Sequence, residues 1–208
     1  MMVSTSSTSG GSSTTGSRRD ELLRIAGALF ARRGFKNTTV RDIADAAGIL
    51  SGSLYHHFDS KESMVDELLS TFQSALFRTY DEILASESDP RARIDAVVRA
   101  SFDAIEQHHD EVAIFQGDAT YLMGFERFAY LREHNERFRA MWLELLEEGT
   151  RSGALRDDLD AELTYRFIRD TVWVAVNWYR PGGELTAQEV ADQYLSILFD
   201  GLTPRQEK

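Results

Sequence analysis

From Arg18 onward, apolar residues recur at intervals of three and four, the spacing that lines side chains along one face of a helix. Leu22, Ile25, Ala26, Leu29 and Phe30 make the first such stripe, and Gly34 ends it, because glycine readily takes the left-handed conformation that closes a helix. Thr39 then precedes Val40-Arg41-Asp42, a hydroxyl and a carboxylate three residues apart that can cap a helix start reciprocally, and Gly48 closes that short helix. A second short helix is predicted over Ser51 to His57, and Ser60 caps a long helix beginning Lys61-Glu62. Further helices are predicted over residues 90–108, 111–118, 125–151, 161–179 and 187–200, the last opened by the capping box Thr186-Ala-Gln-Glu189. No stretch alternates with period two for long enough to make a strand, and prolines occur only at 90, 181 and 204. The pattern predicts an all-α fold.

Composition narrows this picture. The chain of 208 residues is 42% hydrophobic, enough to build a sizeable core. No apolar run has the length of a bilayer span, and the N-terminus has neither the basic nor the apolar segment of a secretory signal, so a cytoplasmic location is expected. The absence of cysteine removes disulfides, thiolate zinc sites, iron–sulfur clusters and cysteine nucleophiles. Residues 1–17 are nearly all Ser, Thr and Gly without charge, a composition that cannot offset the entropy of ordering, and are expected to be a disordered leader. Net charge is −11, yet residues 18–61 hold eight Lys or Arg against five Asp or Glu, net +3, which leaves −14 for residues 62–208. An acidic body is thus segregated from a mildly basic head, and it is the distribution of charge rather than its sum that bears on nucleic-acid binding.

The head has the layout of a helix-turn-helix over residues 39–58: one helix to cross the phosphates, a sharp turn, and a second helix for the major groove. Ile43, Ala44 and Ala47 would face inward on the first helix, and Leu54 and Phe58 would anchor the second. Ser51, Gly52, Ser53, Tyr55, His56 and His57 are left outward, with Val40 and Arg41 on the preceding helix. Thr39, Tyr55 and Lys61 are the candidate phosphate contacts. Arg41, Ser53 and His56 are the candidates for base edges, which only a projecting side chain can reach.

Ile25-Ala-x-Ala-Leu-Phe30, Gly34-Phe35, Thr38-Thr39-Val40, Ile43-Ala44, Ala47-Gly48, Gly52-Ser53-Leu54-Tyr55, His57-Phe58 and Ser60-Lys61-Glu62 together resemble the TetR family of transcriptional repressors. One departure is Leu50, where the family often has a Ser or Thr that caps the recognition helix; leucine cannot cap, and Ser51 is expected to do so instead. The resemblance implies a TetR-like all-α homodimer of about nine helices per chain. Its heads would bind successive major grooves of a palindromic double-stranded DNA operator, and its variable body a small-molecule effector. On this basis a DNA-binding domain is expected over residues 18–76, an effector-binding and dimerisation domain over 77–202, and a tail over 203–208.

In the body, Leu163 to Tyr179 is nearly apolar on every face after Phe167, which predicts a helix buried on all sides. Leu163, Phe167, Val174 and Trp178, with Val190, Tyr194, Ile197 and Leu198 of the final helix, are the expected dimer interface. The opposite strip holds Tyr165, Arg169 and Trp173, the arginine and tryptophan one turn apart. A buried arginine needs an anion: either an internal acid such as Asp170 or Asp192, or the carboxylate, phosphate or thioester end of a ligand whose apolar part packs on Trp173. Phe115, Tyr121, Phe128, Tyr130 and Trp142 either line the same cavity or pack the core. Tyr165-Arg-Phe-Ile-Arg-Asp-Thr171 and Trp178-Tyr-Arg-Pro-Gly-Gly183 with Leu185-Thr-Ala-Gln188 are similar to actinobacterial TetR-type repressors of late (C/D ring) cholesterol catabolism. That narrower resemblance implies an acyl-CoA effector, the thioester of a two-ring propanoate, and gives Arg169, Trp173 and also Arg166 or Arg180 a polyanion to meet.

Two other classes compete. Glu106-Gln-His-His109 has the Glu-x-x-His spacing of di-iron bundles, but those sites need a second such motif, and no nucleophile elbow or phosphate loop is present; no enzyme activity, cofactor or metal site is expected. An architectural DNA-binding protein without an effector would need widespread positive charge, and this body is acidic.

Overall fold

In the computed structural model, which describes residues 14–202, the helical periodicity holds throughout: nine α-helices and two single 3-10 turns, with no strand among the described residues. The expected tail lies outside the described residues, as does residue 13 and everything before it. Residues 14–17, expected to close the leader, instead form the first turn of α1 (Thr14–Arg33), since extending an existing helix costs far less than nucleating one. The chain divides into two compact units at Val65 and Asp66, inside α4 (Lys61–Ser86).

In the first unit, α1 ends at Gly34 with φ of 81°. Thr38 is fully buried and its hydroxyl donates to the Gly34 carbonyl at 2.9 Å, securing the loop into α2 (Val40–Ala46). The predicted capping box is formed: Asp42 N–H donates to the Thr39 hydroxyl at 3.1 Å, and Thr39 N–H donates to the Asp42 carboxylate at 2.8 Å. Hydrogen bonds donated to its carboxylate by the Thr39 hydroxyl and by the Thr39 N–H hold the Asp42 carboxyl below its ordinary pKa. After Gly48, again left-handed at φ 66°, comes α3 (Ser51–Leu54), one turn long. It is shorter than the expected 51–57, and residues 55–57 form a turn instead. Leu22, Phe30, Phe35, Ile43, Leu54 and Phe58 are all buried, and this core explains why so short a helix is held: α3 is positioned by the Leu54 and Phe58 anchors rather than by its own hydrogen bonds.

The second unit consists of the rest of α4, α5 (Pro90–Gln107), α6 (His109–Leu122), α7 (Tyr130–Arg151), α8 (Ala161–Val174) and α9 (Ala187–Leu202). Helix α5 is central and packs against α6, α7, α8 and α9. Its start combines Pro90 at the first turn with Asp89, whose carboxylate accepts from Ala92 N–H at 2.8 Å. Asp160 caps α8 in the same way through Leu163 N–H at 2.7 Å. The fully buried Tyr80 hydroxyl is hydrogen-bonded to Ser101 at 2.7 Å, and Arg93 of α5 pairs with Glu148 of α7 at 2.7 Å.

Two predicted helices are interrupted. Residues 126–128 are a separate 3-10 turn before α7, and α8 stops at Val174 and tightens into a 3-10 turn over 175–177. The apolar run to Tyr179 continues beyond the helix because Ala175, Val176 and Tyr179 are core residues. Burial on all sides does not hold for α8 within the chain: Leu163, Phe167 and Val174 are exposed, as is Trp178 just beyond the 3-10 turn.

Candidate DNA interface and effector cavity

The helix-turn-helix places most of its candidate contacts outward. The Arg41 side chain is 85% exposed with only a 3.7 Å approach to Asp45, and Gly52, Ser53, Tyr55 and His56 are also exposed. Val40, Ser51 and His57 are half-buried. A Cβ built on Gly52 would meet nothing within 4 Å, so the fold itself does not require glycine there, and the bare backbone leaves room for another molecule to approach. Two candidates are engaged internally. The Thr39 hydroxyl takes part in the α2 cap. The Lys61 ammonium donates to the carbonyls of Phe35 at 2.8 Å and Thr38 at 3.0 Å and sits 4.1 Å above the Phe35 ring, so it ties the start of α4 to the loop before α2 instead of reaching out as a phosphate contact. Ser51 does not cap α3 either: it is the first helical residue, and the N-cap is Leu50, which makes no side-chain hydrogen bond.

The body contains a cavity of about 420 Å³ bounded by α4, α6, α7 and α8. Phe138 is the hub of its aromatic wall, with ring centroids 6.2 Å from both Tyr165 and Trp173. Phe115 completes the apolar lining from α6. Arg169 is also in the wall, but it is not buried: its side chain is 43% exposed, pairs with Asp170 at 2.7 Å and lies 5.5 Å from the Tyr165 ring. The internal acid is therefore its partner in this structure. A second arginine absent from the sequence reading, Arg139, stands in the same wall and pairs with Glu162 at 2.6 Å. Gln73 and His134 are also wall residues, joined by a hydrogen bond of 2.6 Å. Burial among apolar neighbours holds the His134 imidazole below its ordinary pKa, with nearby Arg137 acting in the same direction. Of these only His134 carried a regular signal, since it precedes Phe138 by the same four residues that separate 165, 169 and 173 on α8.

Other expected cavity residues lie elsewhere. Trp142 is buried in the core behind Phe138, with centroids 6.3 Å apart and its indole N–H without a partner. Arg166 is exposed and pairs with Glu162 at 3.2 Å, and Arg180 is exposed near the 3-10 turn after α8. Phe128 is fully buried, Tyr121 packs on Phe125, and the Tyr130 hydroxyl reaches the Asp66 carbonyl at 3.5 Å. The Glu-x-x-His pair is used structurally: Glu106 accepts from the Tyr179 hydroxyl at 2.9 Å, and His109 Nε2 lies 3.1 Å from the Val176 carbonyl. Among the described residues no His, Asp and Glu cluster could hold a metal, and no helix is long and apolar enough to cross a membrane. The expected dimer residues divide. Leu163, Phe167, Val174, Trp178 and Ile197 are exposed, whereas Val190 is buried and Tyr194 and Leu198 pack on the chain's own core.

The helix-turn-helix unit matches the family model described as bacterial regulatory proteins, tetR family, over residues 22–68, and the body matches the tetracyclin repressor-like C-terminal domain over residues 87–202. The chain belongs to the TetR family. The HTH-type transcriptional repressor KstR2 of Rhodococcus jostii RHA1 is 60% identical over 185 residues, covering 89% of this chain and 91% of that protein. The solved structure of the ketosteroid transcriptional regulator KstR2 of Mycobacterium tuberculosis superposes with a TM-score of 0.89 at 54% identity, covering 92% of this chain and 98% of that one. A more distant TetR-like fold is that of AibR, solved in complex with isovaleryl coenzyme A and operator DNA, with a TM-score of 0.76 at 22% identity over 88% of this chain and 98% of that one. This TetR-type protein is thus a transcriptional repressor related to KstR2, and its relatives are regulators rather than enzymes.

Proposed function

We propose that this TetR-type repressor acts in the cytoplasm as a homodimer on a palindromic operator and is released by an acyl-CoA thioester carrying a sterol-derived ring. The observation that carries this reading is the cavity, which joins an aromatic wall of Phe115, Phe138, Tyr165 and Trp173 to two arginines, Arg139 and Arg169. An apolar ring suits the first and an anion the second. At about 420 Å³ the cavity can take the acyl part, while the nucleotide end would extend past the half-exposed arginines. The similarity to regulators named for ketosteroids supports a steroid-derived acyl group, and AibR illustrates that this fold can accommodate an acyl-CoA. Exposed Arg41, Ser53, Tyr55 and His56 with the bare Gly52 backbone form the operator face. Release is a population shift, since a ligand that binds better to the non-operator conformation draws the protein away from DNA.

The test is a mobility shift on the chain's own upstream DNA with graded additions of CoA thioesters of ring-bearing propanoates, straight-chain acyl-CoAs, free CoA and the free ring acids. Release by the ring-bearing thioesters alone is expected. Equal release by the free acids would remove the thioester from the reading, and no release by any compound would overturn it.

A further inference from the structure

Gln73 is 5% exposed, on the cavity wall between the buried rings of Phe72 and Phe77. A carboxamide has two acceptor and two donor positions. Here its oxygen accepts from His134 Nδ1–H at 2.6 Å, since an amide oxygen cannot donate, and the proton on Nδ1 fixes the imidazole tautomer. The amide nitrogen makes no hydrogen bond among the described residues, although Gln73 is almost wholly enclosed. The nitrogen is not one of the side-chain atoms sealed away without a partner, so it keeps accessible surface, and an apolar residue would line the same wall without presenting a donor there. The His134 bond orients the carboxamide, and His134 is itself held by ring contacts with Phe77 at 5.1 Å and Tyr130 at 5.4 Å. The arrangement is a braced donor in a cavity whose wall also carries the rings of Phe72, Phe77, Phe115 and Phe138.

We propose that the Gln73 amide N–H, oriented by His134, donates a hydrogen bond to a carbonyl oxygen on the ring part of the effector, so that the cavity selects an oxidised ring over a plain hydrocarbon one. This rests on the effector reading above and adds to Arg139 and Arg169 a further polar group in the same cavity wall. A site built to pair with a substrate oxygen discriminates against the analogue lacking it, because its own donor is then stranded.

The test uses two ligand sets measured by isothermal titration with the full-length protein and its Gln73→Leu and Gln73→Met variants, with operator affinity in the absence of ligand as the folding check. The first set is 3-cyclohexylpropanoyl-CoA, its 4-oxo form and its 4-hydroxy form; the second is decalin and 2-decalone, which lack coenzyme A. The wild type is expected to bind the 4-oxo thioester about tenfold more tightly than the unsubstituted one, with the preference lost in both variants. Equal binding of oxo and unsubstituted rings by the wild type, a preference that survives in the variants, or tighter binding of the hydroxy form would each overturn the proposal. A decalone preference that depends on Gln73, with no binding of any thioester, would keep the proposal and remove the acyl-CoA reading. Absence of binding in both sets would overturn both.

Discussion

Glycine and leucine meet on α7 in a way that helix propensity alone misjudges. Gly149 lies within the helix and is buried, where a glycine is ordinarily a weak point of about 1 kcal/mol relative to alanine. A Cβ there would stand 2.8 Å from Leu155 Cδ1 and 2.9 Å from its Cγ, and Leu155 is itself buried. Gly149→Ala is therefore expected to destabilise the fold by about 1–3 kcal/mol through overpacking, read from denaturant unfolding; a gain in stability would mean that Leu155 yields freely. The same division governs what the residues revealed in advance. The caps at Thr39–Asp42 and Thr186–Glu189 were legible because their partners lie three residues apart. The roles of Lys61 and Gln73 were not, because the Phe35 carbonyl and the His134 imidazole that define them are distant in sequence. Arg169 misled for a further reason: its apolar neighbours suggested burial, while its reach carries the guanidinium out to Asp170 and solvent.

Helices were read more surely than their ends. The all-α class and the positions of the helices followed from periodicity, while the breaks before α7 and after α8 fall in residues 125–130 and 174–179, which carry no glycine or proline signal. On α8 the overall hydrophobicity concealed two different faces. One strip, including Tyr165, Ile168 and Trp173, belongs to the core; the other, Leu163, Phe167, Val174 and Trp178, is exposed and continues the same apolar character as Ile197 on α9. Phe167 at 64% and Ile197 at 65% exposure are too apolar and too open for an isolated surface. If they are the dimer face, Phe167→Asp with Ile197→Asp weakens self-association by ~2 kcal/mol or more, seen by sedimentation equilibrium, with the helical spectrum retained. An unchanged dimer would place the interface elsewhere.

Across the whole molecule, the opposition of a basic head and an acidic body sets how binding responds to salt. Operator affinity is expected to fall with salt at a log–log slope of about −0.9 per neutralised phosphate. Arg41, a base-edge candidate by its position, is open to solvent, and where its guanidinium meets a phosphate instead, Arg41→Ala makes that slope shallower by about one. Lys61→Met should leave the slope unchanged and lower thermal stability, because its ammonium serves backbone carbonyls. Equal slopes for wild type and Arg41→Ala in fluorescence titrations would move Arg41 off the phosphate backbone. The cavity follows a different electrical logic. Arg139 and Arg169 each stand beside an acid, Glu162 and Asp170, so the mouth is nearly neutral at a distance and exerts little pull on passing anions. Under the proposed effector reading small phosphates meet no funnel there, and a ligand is recognised only on contact, once its own charge displaces a carboxylate and its ring has a wall to meet. DNA is found by attraction from afar, whereas the effector is found by fit.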